Sequence, residues 1–408
     1  MIGNVMVGQS GGPTSVINSS LAGVFKTAKD RGANKVYGML NGIKGLLDRQ
    51  YIDMSDYIKS TLDIELLKRT PSSFLGSCRY KLPEIADNRE VYEQIFAILE
   101  ELEIDAFFYI GGNDSMDTIK KLSDFAILTS SPIKFMGVPK TIDNDLNLTD
   151  HTPGYGSAAK YIASSTKEII RDGLVYDTPC VTIIEIMGRN AGWLTAASAL
   201  AKGDDCEGVD LIYLPEIAFD VDKFMDKIRE LLSKKRSVVV AVSEGIKVAD
   251  GRYVFELADH IEFVDAFGHK QLQGAAKFLT NKISATIGCK TRAIEFSTMQ
   301  RCSGHLTSRT DITEAYQVGG AAVKAASEGE TGMVIVLERI SDDPYICITG
   351  CKDVHKIANI EKKVPLDWII NDGTYVSQDF INYATPLIQA ELTPIMVNGL
   401  PKHIKLDR

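Results

Sequence analysis

Hydrophobic residues in this chain gather in short runs of strand length: NVMVGQ (4–9), NKVYGML (34–40), DAFFYIGG (105–112), IKFMGVP (133–139), CVTIIEIMG (180–188), DLIYLPE (210–216), SVVVAVSEG (237–245), TRAIEFST (291–298) and GMVIVLE (332–338). Between them, segments 87–103, 156–176, 221–234 and 266–286 space their apolar positions as helices do and are rich in Glu, Lys, Ala and Leu. A strand that is apolar at nearly every position has no face to offer water, so it belongs in a parallel sheet covered by helices on both sides. The pattern therefore predicts an α/β protein of doubly wound, mainly parallel sheets. At 408 residues the chain exceeds the usual size of one core, which implies two lobes. The polar, Pro- and Gly-containing stretch NDLNLTDHTPGYGS (144–157) is the clearest hinge candidate. The expected division is 1–150, 151–310 and a closing segment, 311–408, in which GMVIVLERI and YICITGCKDVHKIAN suggest a strand pair and helices packing back on both lobes.

Charge and composition narrow the function classes. A formal net charge of −9 opposes nucleic-acid binding, which needs a basic face, so any phosphate site has to be local. No apolar run approaches the roughly 20 residues of a membrane-spanning helix, and the opening MIGNVMVGQSGG lacks the layout of a signal peptide. A cytoplasmic protein with no membrane partner is expected. The seven cysteines form no CxxC pair and their odd number fits reduced thiols, while the six histidines show no zinc spacing.

In a doubly wound sheet, ligands sit at the carboxyl ends of the strands, so the turns after each apolar run are where chemistry should gather. GQSGGPTSVIN (8–18) puts Gly11 and Gly12 at a strand end, with bare amides that suit an anion and equally suit an ordinary tight turn. GGNDS (111–115) lets phosphate approach Gly111 and Gly112 closely, although helix capping alone would account for Asp114 or Ser115. VPKTIDNDL (138–146) is denser than capping requires. Lys140, Asp143 and Asp145 there offer a general base and a charge to steady a leaving phosphate, the alternative being a solvated acidic turn. EIMGRNAGW (185–193) places Arg189 where its fork can clamp phosphate or sugar oxygens, or simply be solvated. Glu244 in VSEGIK, Arg292 and Arg301 in KTRAIEFSTMQRCSGH, and Arg79 and Lys81 in LGSCRYK complete a cationic pocket in an acidic protein.

As an ordered set, these turns resemble the phosphofructokinase family from Val5 to about Val323, with PKTIDND and MGRNAG the most specific strings. The resemblance implies two doubly wound lobes with the active site between them. It also implies phosphoryl transfer to the C1 hydroxyl of fructose 6-phosphate with Asp143 as base. Thr141, Ile142, Asp145, Met187, Gly188, Arg189, Glu244, Thr298 and Arg301 would then hold the sugar phosphate, joined by Arg292 from a neighbouring subunit of a homodimer or homotetramer. Gly11, Gly12, Arg79, Gly111, Gly112 and Ser115 would face the phosphoryl donor.

ATP-using relatives place glycine at the positions of Asp114 and Lys140, whereas this Asp and Lys combination resembles the pyrophosphate-dependent branch. A carboxylate about 4 Å from a unit negative charge costs ~4 kcal/mol at an effective dielectric near 20, close to a thousandfold in binding. That repulsion would fall on the α-phosphate of a nucleotide, which pyrophosphate lacks, while Lys140 steadies the departing phosphate. Asn113 stands where the family carries a metal-associated aspartate, so magnesium (Mg2+) would rest mainly on pyrophosphate oxygens and water. Thr298 replaces a common sugar-site histidine, and Cys180 replaces an arginine supplied across the subunit interface in short bacterial enzymes. The competing readings are ATP as donor, sedoheptulose 7-phosphate as acceptor, and a non-catalytic regulatory subunit.

Overall fold

The computed structural model describes residues 2–257 and 274–406. Its two larger sheets use, in chain order, β1 (Asn4–Gln9), β2 (Val36–Met39), β3 (Tyr51–Asp53), β4 (Ile104–Gly111), β5 (Lys134–Pro139), β6 (Cys180–Ile186), β7 (Leu211–Tyr213), β8 (Ser237–Ser243), β9 (Lys290–Glu295), β10 (Met333–Asp342) and β11 (Tyr345–Asp353). The chain forms two compact units. The first comprises residues 1–157, 301–361 and 389–408; the second comprises 158–300 and 362–388. Passage from first to second falls inside the helix Tyr155–Gly173, and the segment 311–408 contributes to both.

The first unit carries a seven-stranded sheet in the order β11-β10-β5-β4-β1-β2-β3. It is parallel from β10 to β2, with β3 and β11 antiparallel at its edges. Its apolar runs are buried on both faces. Along β4, Ala106, Phe108 and Ile110 enter one core with Val5 and Val7, while Phe107 and Tyr109 enter the opposite core with Met6. Side chains that alternate across a strand thus explain why these runs show no alternation in sequence. Two helices, Ile17–Asp30 and Arg309–Ser327, approach closely through glycines: a Cβ on Gly23 would lie 2.1 Å from the Tyr316 carbonyl oxygen, and one on Gly319 would lie 2.1 Å from that of Ser20.

The second unit holds a parallel four-stranded sheet in the order β7-β8-β6-β9. Its core is built from Val181 and Ile183 of β6 and Val238, Val240 and Val242 of β8. The helix Val221–Lys234 starts where Asp220 accepts the amides of Asp222 and Lys223, both at 3.0 Å. Of the segment 266–286, residues 266–273 lie outside the described residues, and the rest forms the helix Ala275–Ile287. Two apolar runs differ from expectation because they lie at sheet edges: β9 is largely exposed, and β11 leaves Ile346 and Ile348 open to solvent. No helix among the described residues is long and apolar enough to cross a membrane.

Candidate active site

In the first unit the carboxyl ends of β1, β4 and β5 are neighbours, and three of the sequence-selected turns meet there. After β1, Gly11 turns with φ +75°, a conformation that favours glycine. A Cβ there would lie 3.2 Å from Lys140 Nζ, and one on Gly12 would lie 3.1 Å from Arg301 Nη1. Both cations therefore press against the Gly-Gly backbone. The loop bearing Arg79 is tied to the same place, since Ser77 Oγ donates to the Gly11 carbonyl at 2.6 Å. Lys121 anchors that loop's far end, donating to the Leu82 carbonyl at 2.9 Å and pairing with Asp117 and Glu84, each at 2.8 Å.

After β4, Gly112 precedes the helix Asn113–Thr129, whose first turn carries Asp114. Asp114 is exposed, while Ser115 is buried against Gly111, where a Cβ would collide with its hydroxyl. No side chain caps this helix at Gly112, which leaves its first amides for an anion.

After β5, Lys140 is 2 % exposed and its Nζ donates to the Gly12 carbonyl at 2.8 Å. Burial lowers its pKa to about 8; Asp143, Asp145 and Asp114 oppose that shift, and Arg301 reinforces it. An anion arriving here would raise the pKa again and be held by a full charge with little water to screen it. Thr141 Oγ1 accepts the Asp143 amide at 3.1 Å, fixing the turn that presents the Asp143 carboxylate, and Ile142 is buried. Asp145 is raised above the ordinary carboxylate range by burial, and further by Asp143 and Glu361.

Asn113 Nδ2 donates to Asp145 at 3.4 Å, while Asn113 Oδ1 is buried with no hydrogen-bond partner among the described residues. An orphaned oxygen beside a buried carboxylate suits a hard cation. Asn113, Asp145 and Asp143 are the residues that fit one.

The second unit assembles Met187, Gly188, Arg189 and Glu244 at the adjacent ends of β6 and β8. Gly188 turns with φ +140° and its amide donates to Glu244 at 3.4 Å. Gly245 allows a close approach, because a Cβ there would sit 2.0 Å from the Arg189 carbonyl. Gln300 accepts the Met187 amide at 3.2 Å, and Glu216 accepts those of Gly192 and Val364 at 2.9 and 3.0 Å. Arg292 is not brought into this group. It pairs with Asp172 at 3.6 Å, lies over the Tyr176 ring, and stands level with Thr182, four residues short of the β6 end. Thr298 is exposed and Cys180 is buried at the start of β6.

Sequence reading missed Gln300 and Glu216, which act through backbone amides. It also missed a buried network in which His151 contacts Asp150 and Glu314. The histidine beside an aspartate in TDHTP was visible, but its second partner lies 163 residues away.

The phosphofructokinase sequence pattern matches residues 4–326. The pyrophosphate–fructose 6-phosphate 1-phosphotransferase of Xanthomonas campestris pv. campestris is 42 % identical, and that of Halomonas elongata 40 %, each over 99 % of this chain and 96 % of the relative. The crystal structure of a pyrophosphate-dependent phosphofructokinase from Nitrosospira multiformis superposes with a TM-score of 0.89 at 36 % identity, covering 98 % of this chain and 96 % of that one. The chain belongs to the phosphofructokinase family. Within it, these similar full-length relatives are pyrophosphate-dependent members.

Proposed function

We propose that this chain transfers a phosphoryl group from pyrophosphate to the C1 hydroxyl of fructose 6-phosphate, reversibly, giving fructose 1,6-bisphosphate and phosphate. The observation that carries the reading is Lys140, a buried ammonium that donates to a backbone carbonyl, placed against the Gly11–Gly12 turn with Asp114 exposed nearby. A buried cation so placed is stabilised by an incoming anion, and a short, highly charged donor suits it better than a nucleotide passing a carboxylate.

Asp143 takes the proton of the attacking hydroxyl, and Lys140 neutralises charge on the phosphate that departs. Gly11, Gly12, Arg79, Gly111, Gly112 and Ser115 bind the donor through amides, a guanidinium and a hydroxyl. Thr141, Ile142, Asp145, Met187, Gly188, Arg189, Glu244, Thr298 and Arg301 serve the sugar phosphate, with Arg292 serving a neighbouring subunit of a homodimer or homotetramer. Arg301, placed against Gly12, is poised to serve the donor as well. Magnesium fits at Asn113, Asp145 and Asp143, where it would supply charge neutralisation to the bound phosphates. The enzyme is cytoplasmic on this reading.

Phosphorus NMR of the chain with magnesium, pyrophosphate and fructose 6-phosphate tests the reaction. The expected spectrum gains fructose 1,6-bisphosphate and phosphate in equal amounts, and the reverse mixture regenerates pyrophosphate. Hydrolysis of pyrophosphate without sugar phosphorylation would refute the assignment.

A further inference from the structure

The geometry points to His151 as a positioning residue: a buried imidazolium, held between Asp150 and Glu314, that fixes the loop carrying Thr141 and Asp143 for phosphoryl transfer. The inference rests on the proposed reaction and adds to it a residue outside the substrate-binding set.

His151 is 1 % exposed; its Nδ1 donates to Asp150 at 2.8 Å and its Nε2 to Glu314 at 2.7 Å. Two carboxylates can both accept from one ring only when both ring nitrogens carry protons. Burial works to discharge the ring, but Glu314 and Asp150 outweigh it and hold the pKa up to about 9. Further groups packed around this trio donate to its two carboxylates. Tyr345 on β11 donates to Glu314 at 2.7 Å, and Arg339 on β10 donates to Asp150 at 2.9 and 3.1 Å while pairing outward with Asp342 at 3.0 Å. The Cys347 thiol, pushed up to about 12 by burial and by Glu314, stays neutral. His151, Glu314 and Cys347 bring donor atoms within 4.8 Å of one another, a spacing a metal could share. Both ring nitrogens are committed as donors, however, so the imidazolium itself supplies the positive charge.

The strap 149–157 transmits this anchoring. On one side it is pinned to the strand and helix behind it: the Asp150 amide donates to the Leu337 carbonyl at 2.8 Å, and the Gly154 and Ser157 amides both donate to Asp311 at 2.8 Å, one helical turn before Glu314. On the other side it grips the reactive loop. Thr152, next to His151, donates its amide to Asn144 at 3.0 Å and its hydroxyl to the Thr141 carbonyl at 2.8 Å; the Thr141 amide returns a bond to Pro153 at 3.2 Å. Thr141 in turn holds the Asp143 amide. One residue and two hydrogen bonds thus separate the imidazolium from the turn that presents the base. A buried ion pair is a weak source of stability, so its place at the root of this loop is better explained by the geometry it imposes.

The test uses the full chain and two variants. His151→Gln can satisfy only one of the two carboxylates as a donor; Tyr345→Phe removes one hydrogen bond to Glu314 and carries the same readouts should the first variant not fold. Hydrogen exchange of peptides covering 140–147, measured without substrates, should quicken on the order of tenfold in His151→Gln, less in Tyr345→Phe, with β6 unchanged in both. In steady state, kcat should fall on the order of tenfold or more while KM for pyrophosphate moves less than about twofold. Unchanged exchange at 140–147, faster exchange throughout the chain, or a raised KM with kcat intact would overturn the inference. If the wild type were inactive with pyrophosphate, the reaction assignment would fall, and the exchange experiment would still decide whether His151 holds the loop.

Discussion

Replacing Lys140 with methionine should sharply lower turnover while relieving the fold of a buried charge, and pH separates the two roles. Burial lowers the lysine's pKa from 10.5 to about 8 in the folded protein, so at about 1.4 kcal/mol per pH unit roughly 3 kcal/mol opposes folding wherever the group is charged in both states. The unfolded chain binds this proton more tightly than the folded one. The penalty is therefore fully present below about pH 8 and fades as pH rises toward 10.5. Between pH 7 and 9.5 about 2 kcal/mol of it should lift. Lost contacts such as the bond to the Gly12 carbonyl shift the variant by a constant, which the pH difference removes. His151 behaves oppositely: its raised pKa gives stability that is complete below 6.5 and drains as pH passes about 9, but it is present in both proteins and cancels. Urea midpoints of wild type and Lys140→Met at the two pH values check this. The wild type should gain about 2 kcal/mol on the variant at the higher pH, and kcat with pyrophosphate should fall by about 10² or more. A stability difference independent of pH would refute the reasoning.

Asp143→Asn should lower kcat by about 10² to 10⁴ while leaving KM for fructose 6-phosphate nearly unchanged, read from steady-state rates. Asp114→Gly, Lys140→Gly and the double variant form a cycle in kcat/KM for each donor. The double variant should use ATP best, with a coupling above about 0.5 kcal/mol, and strict additivity would reduce Asp114 to a first-turn charge at the start of its helix. Gly245→Ala should displace the Arg189 carbonyl, which lies 2.0 Å from the new Cβ, and raise KM for the sugar phosphate, whereas Gly251→Ala, with open space around it, serves as the control for backbone strain.

The parallel sheets were legible because β1, β4, β5, β6 and β8 are buried on both faces and their apolar runs declare it. β9 and β11 were legible as strands but not as edges, since a short apolar run looks alike in either place. Lys140, Asp143 and Asp145 stood out because capping cannot account for three charges in one turn. The burial of the stretch 144–157 was not legible. Its polarity and glycines marked it as a hinge candidate, and in the structure Asn144, Thr149, His151 and Thr152 are buried, each polar group meeting a partner on the reactive loop, β10 or the helix Arg309–Ser327. Polar residues show as surface in a sequence, and only distant partners such as Glu314 reveal them as core. For the same reason Arg301 gave no hint that it lies against Gly12, almost 290 positions earlier in the chain.

If Lys140 and Asp114 set the donor, steady-state kcat/KM with fructose 6-phosphate and magnesium, measured separately for pyrophosphate and ATP, should favour pyrophosphate by about a thousandfold, the size of the repulsion between Asp114 and an α-phosphate. Comparable kcat/KM for the two donors would show that these two residues do not choose between them.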